Sequence, residues 1–86
     1  MQCGWRATLL AVFLFVSANA LSQDATLERA RGLIQSNEGG AAYALLAPLE
    51  QQRAGEPDYD YLLGIAAMDA QQYTRAVFAL ERVLAV

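Results

Sequence analysis

Histidine and lysine are absent from this 86-residue chain, and its single cysteine, Cys3, stands almost at the amino terminus. Without histidine, lysine or a later cysteine, nucleophilic catalysis loses nearly every usual base. From residue 21 onward there is also no thiol for an oxidising compartment to cross-link, so stability has to come from packing. Basic surface is scarce: residues 21–86 hold nine acids against five arginines, a formal charge of −4. Nucleic acids and anionic membranes both need a basic stripe that neutralises phosphate, so neither is an expected partner. The acids are scattered, as on a solvated helical surface, and form no acidic tail. β-Branched residues are few and prolines number only two, Pro48 and Pro57, which turns the reading away from sheet.

What is present begins with an export pattern. Arg6 carries the one positive side chain of a short leader, and Ala7 to Val16 is an unbroken apolar run. Ser17-Ala18-Asn19-Ala20 then places small residues ahead of a cut after Ala20. Charge, apolar core and small-x-small in that order describe a secretory signal peptide over residues 1–20. A bilayer span needs ~20 apolar residues, and this run gives out at Ser17. Cys3 precedes the apolar core, where a lipoprotein cysteine would follow it. The expected mature chain therefore starts at Leu21, lacks a membrane span and is periplasmic or otherwise exported.

Past residue 21 the chain is rich in alanine, leucine, glutamine, glutamate and arginine, all helix formers. Turn chemistry interrupts it at Ser36-Asn37-Glu38-Gly39-Gly40 and at Ala54-Gly55-Glu56-Pro57, with a softer break near Ala70-Gln71-Gln72. Four helices follow: from an Asp24 N-cap to Ser36, from Ala41 to Arg53, from Pro57, and from Tyr73 to Val86. Pro48 falls inside the second and removes a backbone hydrogen bond to residue 44, so a kink or a late start is expected. Pro57 suits a first helical position, and Glu56, Asp58 and Asp60 place negative charge at that helix's positive end. In the fourth helix Tyr73, Ala76, Val77, Leu80, Val83 and Leu84 form one apolar stripe at helical spacing.

Equal helices joined by short loops invite a search for repeats. A slide that lays Gly32 on Gly64 also lays Ala44 on Ala76 and Ala47 on Ala79. It brings Leu33, Leu45 and Leu46 onto Ile65, Val77 and Phe78, and it predicts small residues where paired helices cross most closely. From Pro57 onward, Leu63-Gly64, Tyr73, Ala76 and Leu80 are spaced as in a ~34-residue tetratricopeptide repeat, which this segment resembles. Leu84 and Val86 continue that repeat's apolar face. Departures are Asp60 where a large aromatic is usual, Gln71 where the turn has glycine, and Val83 where alanine is preferred. Residues 57–86 thus read as one repeat and 21–56 as a degenerate helix pair of the same kind, giving an all-α fold of antiparallel helix pairs.

The resemblance implies a protein-interaction scaffold, with no cofactor and no catalysis. Its partner groove would use Asp58, Tyr61, Ile65, Met68 and Asp69, and its repeat packing Leu63, Gly64, Tyr73, Ala76, Leu80 and Leu84. That groove suits an apolar protein or peptide segment with basic flanks, and it lacks the cations of a carboxylate clamp. Paired carboxylates for acid–base work reduce to Glu56, Asp58 and Asp60, better explained by the helix dipole. A hard-cation loop has only a fragment of its ligands, and Tyr59 and Tyr61 read as contact residues or helix surface. Two repeats are few for stability, so further repeats downstream or self-association through the fourth helix are expected. Relatives by this resemblance serve envelope assembly or export in Gram-negative bacteria. The alternative is a small exported helical bundle acting as a homodimeric structural or ligand-binding protein.

Overall fold

The computed structural model describes residues 25–86, so the signal segment, its cut after Ala20 and the Asp24 cap lie outside the described residues. Among those described, every regular element is helical. Helix α1 runs through residues 25–35, α2 spans Gly39–Leu46, α3 Glu50–Arg53, α4 Pro57–Asp69 and α5 Tyr73–Leu84. A single 3-10 turn, Ala47–Leu49, joins α2 to α3. Pro48 sits inside that turn and has no N–H to give to Ala44, so the ladder tightens there and resumes at Glu50. The two short helices make one kinked rod, and the described residues form four rods folded as two hairpins.

Both hairpin turns have the same construction. Glu38 N–H donates to Leu33 O at 2.7 Å and Asn37 N–H to Ile34 O at 3.1 Å. Gln72 N–H donates to Ala67 O at 2.8 Å and Gln71 N–H to Met68 O at 3.0 Å. Asn37 and Gln71 both adopt a left-handed backbone, φ 61°. Each turn is therefore a Schellman closure that satisfies the last carbonyls of one helix and starts the next two residues later. Laying Asn37 on Gln71 sets the register of the repeat. In it Ala30 matches Gly64 and Ala42 matches Ala76, all four buried, while Leu46 matches Leu80.

The alignment of Gly32 with Gly64, expected from glycine matching, is corrected by this. Gly32 is exposed with open space where a Cβ would stand, and Ala44 is exposed as well. An error of two residues turns a helix by ~200°, which exchanges the inner face for the outer. The small residues that do mark a crossing are Gly64 and its image Ala30. A Cβ on Gly64 would stand 2.5 Å from Leu80 Cδ2 and 2.6 Å from Leu80 Cγ, so the close approach of α4 and α5 requires its absence.

The core gathers Ala30, Ala42, Leu46, Tyr59, Leu62, Leu63, Ala66 and Ala79, flanked by half-buried Leu27, Leu33, Ile34 and Leu49. α4 is its centre, packed on α2 at one side and on α5 at the other. Such an alanine-rich core lets helices approach closely but buries little apolar area per residue.

Candidate partner-binding groove

α1 and α4 lie side by side, and an open depression of about 240 Å³ runs between them. Its lining is Arg31, Ile34 and Gln35 from α1 with Tyr61, Leu62 and Ile65 from α4. Spacings of three and four residues put each trio on one helical face. Tyr61 is 53% exposed, so its ring stands at the rim, while Ile34 and Ile65 are half-buried below it.

The five expected groove residues divide. Tyr61 and Ile65 line the depression. Exposed Asp58 and Met68 fall one turn away, before and beyond them along α4. Asp69 lies elsewhere: its side chain sits against Gly39, in the space that a Cβ on that glycine would take. Gly39 is the first residue of α2, so the carboxylate lies at that helix's positive dipole end. The α1 half was missed from sequence, although the register of the two turns supplies it. Leu27, Arg31 and Ile34 are the images of Tyr61, Ile65 and Met68.

Of the residues assigned to repeat packing, Leu63, Gly64 and Ala76 are buried and Leu80 is half-buried against Gly64. Tyr73 and Leu84 are corrections, at 58% and 85% exposed. α5 turns Ala76, Ala79 and Val83 toward α4, and the Tyr73–Val77–Leu84 edge of its stripe is rotated out of that contact.

The opposite side of α4 holds a polar network that sequence reasoning placed on the surface. Asp60 is fully buried; it accepts from Arg82 Nε at 3.0 Å and from Gly55 N–H at 2.9 Å. Arg82 Nη2 also donates to Glu50 Oε2 at 3.0 Å, so one guanidinium ties α3, α4 and α5 together. These contacts, the Asp60 hydrogen bond foremost, raise the Arg82 pKa above its ordinary value. Tyr59 is buried too, not surface: its hydroxyl donates to Leu46 O at 2.6 Å. Burial first, then the charge of Glu50, push its pKa up to about 12. Arg53 stacks over the Tyr59 ring at 5.6 Å and donates to Glu56. Asp60 and Glu56 are thereby held in structural pairs, which accounts for two of the three carboxylates weighed for acid–base work.

Among the described residues no group of three or more Asp, Glu, Cys or His side chains is placed to hold a metal ion, and no helix is long and apolar enough to cross a membrane. No family model matches the chain, and no curated protein or solved structure matches it either.

Proposed function

We propose that this chain is an exported, non-catalytic interaction scaffold of the tetratricopeptide kind, and that it holds a protein or peptide segment in the groove between α1 and α4. The observation that carries this reading is the recurrence of one hairpin turn, at Asn37 and again at Gln71, an offset equal to the ~34-residue length of that repeat. Two successive first helices, α1 and α4, then form the floor of one groove. Half-buried Ile34 and Ile65 offer apolar contact, and the rim tyrosine Tyr61 adds a rigid ring of the type enriched at binding hot spots. Asp58 and Glu28 are exposed beside it, favouring a partner whose apolar residues are followed by lysine or arginine. The A-x-A pattern ending at Ala20 supports a cell-envelope location, where the partner would be met.

The test is site-specific photo-cross-linking in the cells that make the protein. A photoreactive residue at Ile65 is expected to trap a discrete partner, and one at exposed Gln52 on the kinked rod is not. Equal labelling at both positions, or none at Ile65, contradicts the groove reading. Amino-terminal sequencing of the exported protein is expected to begin at Leu21.

A further inference from the structure

The depression between α1 and α4 has two unlike walls. α4 lends it Tyr61, Leu62 and Ile65, apolar but for one hydroxyl, whereas α1 lends it Arg31 and Gln35 with Ile34 between them. A groove that took only apolar side chains would have no use for the two polar groups on its α1 side. Gln35 is exposed, and its amide makes no hydrogen bond among the described residues. Arg31 donates from Nη1 to Glu28, which occupies one of its five N–H donors. That pair is on the surface, with side chains 40% and 71% exposed, and is weak. Both side chains therefore have donors to offer an occupant.

Resting on the groove reading, we infer that the occupant is an extended segment. Its backbone carbonyls accept from Arg31 and Gln35, and its alternate side chains pack on Tyr61 and Ile65. Three observations support this occupant. First, Arg31 and Gln35 are four residues apart, which sets them ~6 Å apart along α1. In an extended chain every second carbonyl points to the same side, and two residues span ~6.4–6.8 Å. The two spacings agree to within about 1 Å. A helix has its carbonyls bonded internally, so seating one here would strip water from Arg31 and Gln35 and return no acceptor.

Second, Tyr61 and Ile65 repeat the same ~6 Å step on α4. Side chains on one face of an extended chain recur at that step as well, so a single register serves both walls. Third, the charge of the groove lies at one end. Asp58, one turn before Tyr61, is exposed and makes no ion pair among the described residues. The other end is apolar, with Ile34 in the lining and exposed Met68 one turn beyond Ile65. The segment thus has apolar residues at alternate positions, with a lysine or arginine outside them at the Asp58 end.

Selection from a displayed library of random peptides against the full-length protein tests this. Peptides whose capture is lost with Tyr61→Ser are expected to carry apolar residues at alternate positions beside a lysine or arginine. Measured singly by fluorescence anisotropy, they should bind Arg31→Met and Gln35→Leu each ~2–10-fold more weakly, the worth of one net hydrogen bond. Both side chains reach solvent, so helicity by circular dichroism should stay at the parent level in these variants. Asp58→Asn should flatten the salt dependence of binding. Enriched peptides with apolar residues at intervals of three and four mark a helical occupant; they overturn the inference and leave the groove reading standing. Affinity unchanged by both Arg31→Met and Gln35→Leu overturns it equally. A selection that yields no Tyr61-dependent peptide overturns it too, and the cross-link at Ile65 then decides the groove reading by itself.

Discussion

Replacing Arg82 with methionine keeps the length of the side chain and removes the one cation that, among the described residues, is bound to the fully buried carboxylate of Asp60. Asp60 is left with one donor, the Gly55 N–H at 2.9 Å. Stripping the partner from a sealed ion pair costs ~3–5 kcal/mol. Arg82 and Glu50 side chains are 31% and 26% exposed, so water reaches the rim and the expected loss falls to about 2–3 kcal/mol. A helical unit of this size has only ~3–9 kcal/mol in total, and each kcal/mol lowers the melting temperature by roughly 4–8 °C. Thermal unfolding followed by circular dichroism should therefore drop by roughly 10–20 °C. Arg75→Met is the control: Arg75 reaches the same Glu50 at 3.8 Å but is 46% exposed, and its loss should cost under ~0.5 kcal/mol. Adding Asp60→Asn to Arg82→Met should return part of the loss, because the stranded charge is gone. If Arg82→Met melts no lower than Arg75→Met, the buried network does not hold the second hairpin to the first and the reasoning fails.

Three further outcomes follow from single positions. Gly64→Ala drives a methyl into Leu80, and the overlap should cost ~1–3 kcal/mol, opposed by ~1 kcal/mol of helix propensity; net destabilisation in urea melts is expected, whereas the same change at open Gly32 should stabilise. Gln71→Gly relieves a left-handed backbone carried by a side chain with a Cβ and should raise stability by about 1 kcal/mol, read as a higher urea midpoint with unchanged slope. Tyr59 should add a phenolate absorbance step near pH 12 that Tyr59→Phe removes. Because its folded pKa is raised, its contribution is fully present below the unfolded value of ~10 and is lost as pH climbs through about 12.

Much of the fold was legible in the sequence because its signals are local. Pro57 and the acids after it mark the start of α4, and the Pro48 kink needs only the missing N–H. The repeat register was harder. Asn37 and Gln71 hide two left-handed turns behind residues other than glycine, so matching Gly32 to Gly64 led to the wrong slide. With the register off by two, the α1 half of the groove, Arg31 and Ile34, stayed out of sight. Asp60 was misplaced for a different reason. Its partner Arg82 stands on the following helix and Glu50 on the preceding one, and only the packing of three helices brings them together. On α5 the apolar stripe was visible, but which edge meets α4 is set by the Gly64–Leu80 approach, a tertiary fact.

The most direct test of the scaffold reading is the pattern of cross-links along α1 and α4 in living cells. Photoreactive residues at Ile34, Tyr61 and Ile65 are predicted to trap the same partner, and those at Gln52 and Arg29 none. A partner trapped equally from all five positions, or from none of the groove three, would contradict the account.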